Sequence, residues 1–118
     1  MMGFMKKAGL TGAPAGNGCI DITGTDAATA NTLHAAVAGT GADDWDEVWL
    51  VATNGSDADR LLTLLVGEVE EGPVLIPARA TYRIVDGHPM QDGLVVKAFA
   101  DDAGIRVRGY VNQARSAA

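Results

Sequence analysis

Between Gly93 and Asn112 the chain holds two strand-like runs, the second alternating apolar and polar positions with period two. Leu94, Val96 and Ala98 stand against Val95, Lys97 and Phe99, and Ile105, Val107 and Val111 against Arg106, Arg108, Tyr110 and Asn112. Side chains two apart along a strand share a face, so each run predicts a strand, the second with one apolar face and one charged, aromatic face. Asp101, Asp102 and Gly104 between the runs are turn formers, and the pair reads as a β-hairpin.

The same reading extends backwards. Trp45 to Thr53 carries Val48, Leu50 and Ala52 on one side and Trp49 and Val51 on the other. A strand apolar on both faces is expected to be covered on both, by a second sheet and by a loop or a subunit. Trp45 and Trp49 fall on the same face, as a core row or a subunit seam. Asn54 to Asp59 is a polar turn before the mostly apolar strand Arg60 to Gly67, and the two strands read as a second hairpin. Glu68, Glu70 and Glu71 lead into Gly72-Pro73, which is expected to end that strand's hydrogen-bonded run, and Val74 to Ile76 is a short strand closed by Pro77. Ala80 to Val85 is a strand, and Asp86 to Asp92, with Gly87 and Pro89, a turn-rich crossover. Nearer the N-terminus, Cys19 to Ile22 and Ala30 to Val37 read as strands, separated by a polar turn.

Seven to eight short strands separated by turn signals predict an all-β fold, an antiparallel β-sandwich or jelly-roll-like barrel. The single domain spans 18–113, with an extended N-terminal arm over 1–17 and a C-terminal tail over 114–118. The arm is rich in Gly, Ala and Met and has no period, and it holds Met1, Met2, Phe4, Met5 and Leu10. That apolar content favours docking against another subunit over free solvation.

Composition narrows the partners. The 118 residues suit one core, and a net charge of -6 disfavours a general attraction to nucleic acid or to anionic membranes. Hydrophobic runs are everywhere interrupted before they reach membrane-spanning length, so no membrane is expected as a partner. The single cysteine, Cys19, excludes an intramolecular disulfide, fits assembly in a reducing cytoplasm and is expected as a small buried residue.

Candidate chemistry changes the picture little. His34 and His88 are far apart and belong to no spaced ligand set. Asp43, Asp44, Asp46 and Glu47, with Asp57 and Asp59, could crowd oxygen ligands around Ca²⁺ if their loops converged, but their spacing is not that of a calcium loop. Ser56 and Ser116 lack a nucleophile elbow, and Gly12, Gly16 and Gly18 lack the lysine of a phosphate loop. No enzyme, metal or cofactor is expected. The Arg106, Arg108 and Tyr110 face is either the wet side of a half-buried sheet or an interface, since Arg and Tyr are enriched where proteins meet.

The segments Trp45-Asp-Glu-Val-Trp-Leu-Val-Ala-Thr-Asn54, Leu61 to Gly67, Val74-Leu-Ile-Pro-Ala78, Gly93-Leu-Val-Val-Lys-Ala-Phe-Ala100 and Ile105 to Asn112 resemble a recurring group of small virion structural proteins of tailed bacteriophages. The resemblance covers about two-thirds of the chain and leaves out the first forty residues. It implies a β-sandwich on the virion's capsid surface, assembled in the host cytoplasm, that acts as a capsid decoration or cement protein. It also implies the major capsid protein and the protein's own copies as partners, commonly as a homotrimer. The expected capsid or subunit contacts are Met2, Phe4, Met5 and Leu10 in the arm and Arg106, Arg108 and Tyr110 on the last strand. The alternative is a tail or head-surface β-module that binds a carbohydrate or host receptor.

Overall fold

The computed structural model of the chain describes residues 4–13, 18–37 and 44–115. Nine strands are present among the described residues: β1 (Phe4–Gly9), β2 (Cys19–Asp21), β3 (Asn31–Ala35), β4 (Trp45–Asn54), β5 (Arg60–Val66), β6 (Val69–Ile76), β7 (Thr81–Met90), β8 (Val95–Ala100) and β9 (Ile105–Arg115). A single 3-10 turn, Ala27–Thr29, precedes β3 and is capped by Asp26, whose carboxylate accepts from the Thr29 N–H at 2.9 Å.

Sheet A runs β1-β9-β4-β7 with β2 also paired to β9, and sheet B runs β3-β8-β5-β6. β1 and β2 lie along the same edge of β9, opposite residues 110–115 and 106–108 in turn. Taken as one interrupted strand, they complete two four-position sheets whose connections pass repeatedly from one sheet to the other. This is the connectivity of a jelly roll, so the all-β sandwich read from the sequence is the fold.

The core is what the alternation selects. On β4 the even positions 46 to 54 are buried and the odd positions 45 to 53 are half-buried on the outer side. Val48, Leu50 and Ala52 meet Ile105, Val107 and Val111 within sheet A, and Leu33, Leu62, Leu64, Ile76, Val96 and Ala98 close the core from sheet B. Each buried Leu, Ile or Val contributes roughly 1.5–3 kcal/mol of apolar burial. β4 and β9 approach closely at Gly109, where a Cβ would stand 1.9 Å from the Trp49 carbonyl oxygen.

Several expectations about connections are corrected. Strands 95–100 and 105–115 are not a hairpin: β8 belongs to sheet B and β9 to sheet A. The 101–104 loop crosses between the layers, held by Asp101 N–H on the Leu61 carbonyl (3.1 Å) and Gly55 N–H on the Gly104 carbonyl (2.9 Å). β4 and β5 are likewise split between the sheets. Period-two alternation specifies the face of each strand and not its partner, and a short loop spans the ~10 Å between packed sheets. The tight hairpin is β5–β6, turning at Gly67 and Glu68.

β6 also runs through Gly72-Pro73 where a strand end is expected, by a bulge opposite Thr63. It is an edge strand, so a residue without an N–H breaks no ladder bond on its open side. β7 continues through Gly87 and Pro89 to Met90 for the same reason, with two register shifts against β4. Residues 86–90 are therefore strand and not crossover.

Residues 4–9 of the arm form β1 on β9 of the same chain, with Met5 opposite Ala114 and Lys7 opposite Asn112. Leu10 is 4 % exposed and belongs to this chain's own core, so it offers no surface for docking. Met5 is 54 % exposed. Met2 and the side chain of Phe4 lie outside the described residues. β9 reaches Arg115, so residues 114 and 115, read as tail, are strand.

Buried polar groups pin both ends of the sandwich. At one end Thr11 N–H donates to His34 Nδ1 (3.2 Å), His34 Nε2 meets Asp46 Oδ2 (2.7 Å), and Arg115 Nη2 donates to Asp46 Oδ1 (2.9 Å). At the other end Asn54, fully buried, donates to the carbonyls of Ala58 (2.8 Å) and Ile76 (2.9 Å) and accepts from the Ser56 N–H (2.9 Å) and hydroxyl (2.7 Å).

Candidate functional site

The outer face of sheet A carries a row of rings and cations across all four strand positions. Trp49 on β4 and Tyr110 on β9 are register partners, and their rings stack 6.2 Å apart at 12°. Lys7 Nζ, from β1, sits 4.4 Å over the Tyr110 ring, and the Arg83 guanidinium, from β7, lies 6.0 Å from the Trp49 ring. The order cation, ring, ring, cation places positive charge against both open faces of the aromatic pair. Gly87 makes room for it, because a Cβ there would come within 2.8 Å of the Trp49 ring.

Glu47 anchors the row from below. It accepts from Trp49 Nε1 (2.8 Å) and from Asn112 Nδ2 (2.9 Å). The Asn112 bond first, then the Trp49 bond, holds its carboxyl below the ordinary value of 4.5, because both donors favour the ionised form.

Beside the rings lies a shallow depression of about 320 Å³, lined by Gly18, Trp49, Val51, Arg83, Arg108 and Tyr110 among others. Val51 is its floor. On β9 it faces Arg108 and on β7 it faces Arg83, so two guanidinium-bearing residues flank one small apolar residue on the same face. Arg83 also reaches Asp86 at 3.2 Å, whereas Arg108 makes no ion pair among the described residues.

The sequence-derived face of Arg106, Arg108 and Tyr110 is thus divided by the structure. All three point outward from β9, but only Arg108 and Tyr110 share this depression. Arg106 pairs with Asp21 at 3.0 Å and lines a wider hollow of about 630 Å³ at the loop end, together with Thr23, Thr53, Ser56 and Gly104. Lys7 and Arg83 were not legible as neighbours of these residues. They lie on strands far away in sequence, and Lys7 sits within the segment read as an arm. Trp45 and Trp49 are half-buried on the outer side of β4, with no second sheet over them among the described residues.

The remaining candidates separate. His34 is buried and His88 is exposed on β7. Asp46 lies near the start of β4 while Asp57 and Asp59 follow its end, about 30 Å away along the ten-residue strand. Asp57 binds the Arg79 guanidinium, and Asp59 accepts from the Ala78 N–H at 3.0 Å. Asp43 lies outside the described residues. Among the described residues, no three His, Cys, Asp or Glu side chains come together as metal ligands. Cys19 is half-buried on the edge strand β2.

Sheet B presents a different surface. Leu61 and Leu75 are register partners whose side chains point away from the core, exposed by 40 % and 50 %. Val69 and Val74 add apolar surface along the same edge strand, β6, whose outer backbone groups have no strand partner among the described residues. No family model, curated protein or solved structure matches the chain.

Proposed function

We propose that the protein is a bacteriophage virion structural protein, a capsid decoration or cement protein that binds the major capsid protein shell and its own copies and stabilises the shell. The observation that carries this reading is the exposed Leu61 and Leu75 pair on the outer face of sheet B, next to the open edge of β6. Adjoining apolar side chains beside an unpaired strand edge are the kind of surface on which proteins meet. Burying the surface that each leucine still exposes is worth roughly 0.6–1.5 kcal/mol, and a shell multiplies that gain over many copies. The likeness of residues 45–54, 61–67, 74–78, 93–100 and 105–112 to phage virion proteins supports placing that contact on a capsid.

Cosedimentation of the full chain with purified phage shells tests the reading. The wild-type chain is expected to pellet with shells and to raise their melting temperature. The exposed-site double variant Leu61→Asp/Leu75→Asp is expected to remain folded by circular dichroism and to stay in the supernatant. A folded wild-type protein that never pellets with shells contradicts the proposal.

A further inference from the structure

We infer that the depression over Val51 on the outer face of sheet A is a binding site for a carboxylate-bearing sugar ring. Arg108 and Arg83 sit one strand to either side of Val51, each about 4.8 Å away in the hydrogen-bonding direction. Both residues line the depression, so an oxyanion held above Val51 has two guanidinium groups beside it, the side chain best suited to carboxylates. Arg108 is exposed and has no carboxylate partner among the described residues. Arg83 is only loosely engaged, since its pair with Asp86 is solvent-exposed on both sides and such pairs are weak.

Size selects a ring over a bare ion. The depression, about 320 Å³, is at the small end of ligand pockets, and it exceeds what a free oxyanion or one carboxylate side chain fills. Its lining between the two arginines is apolar and aromatic: Val51, Trp49 and Tyr110. These suit the C–H surface of a sugar.

The cation row also fixes what the site rejects. Lys7, the two rings and Arg83 cover one another's faces, so a sugar meets ring edges and cannot stack on an open aromatic face. Recognition therefore rests on the charge, and a neutral sugar is a poor ligand. The chain as a whole carries -6, so attraction for an anion is local to this cleft and its two arginines, Arg83 and Arg108. The inference is independent of the shell-binding proposal: it concerns the opposite sheet, and its readout needs no shells.

Titration of the ¹⁵N-labelled full chain with glucuronate, glucose and sulfate at constant ionic strength tests it. Glucuronate is expected to give saturable amide shifts centred on Val51, Arg108, Gly109 and Tyr110, with glucose giving none and sulfate binding more weakly. Arg108→Ala is expected to weaken glucuronate by about tenfold or more, while Arg79→Ala, on a loop that lines no part of the depression, leaves it unchanged. The absence of saturable shifts, equal affinity for sulfate, or an unaltered Arg108→Ala titration would each overturn the inference.

Discussion

His34 and Asp46 meet in the interior at 2.7 Å, one from β3 in sheet B and the other from β4 in sheet A. Because His34 Nδ1 accepts the Thr11 N–H, the ring proton sits on Nε2 and donates to the carboxylate. Arg115 satisfies the second carboxylate oxygen. One buried pair therefore ties the segment after β1, both sheets and the end of β9 at a single point.

Breaking that point leaves the surviving partner buried without its bond. Asp46→Ala is expected to cost about 3–5 kcal/mol in urea unfolding. Asp46→Asn, which keeps an acceptor for His34 Nε2, is expected to cost less. Equal stability of the alanine variant and the wild type would show that the pair is not a clamp.

The close approach of β4 and β9 makes a second, sharper contrast. Gly109→Ala places a methyl 1.9 Å from the Trp49 carbonyl oxygen and is expected to cost about 3 kcal/mol or more. Gly9→Ala, where nothing lies within 4 Å, is expected to change stability by no more than about 0.5 kcal/mol. Denaturation midpoints of the two variants decide it.

Acid sensitivity follows from Glu47. Its folded carboxyl titrates below its ordinary value of 4.5, mainly through Asn112 and then Trp49. A depressed carboxyl contributes stability that is present above the unfolded value and is lost as pH falls through the folded one. Glu47→Gln is therefore expected to flatten the loss of stability below about pH 4.5, measured by urea unfolding between about pH 3 and 6. An unchanged slope would detach the Asn112 and Trp49 bonds from folding.

Deleting residues 1–12 tests whether the arm belongs to the fold. The deletion removes β1, the buried Leu10 and the Thr11 N–H that orients His34. Loss of one buried leucine alone is worth about 2–5 kcal/mol, so the truncated chain is expected to unfold at markedly lower denaturant. An unchanged midpoint would return these residues to the role of a separate docking arm.

The strands and their faces were legible because alternation is local. Val48, Leu50 and Ala52 on β4, and Ile105, Val107 and Val111 on β9, are buried where the period placed them. Strand partners were not legible, since β8 and β9 alternate equally well as a hairpin or as a crossing between sheets. Gly72-Pro73 and Gly87 with Pro89 read as breaks, and they are bulged or edge positions where an absent N–H costs nothing. For the candidate sites, Arg108 and Tyr110 were visible from β9 alone. Lys7 and Arg83 reach the same row only through sheet pairing, and no spacing in the chain encodes that. His34 and Asp46 were each visible, but their meeting depends on the layers packing.

The most direct test of attachment to a capsid is hydrogen–deuterium exchange of the full chain with and without purified shells. New protection is expected over residues 61–63 and 69–75, where Leu61, Leu75 and the open edge of β6 lie. Exchange along β6 that is unchanged at saturating shells would contradict it.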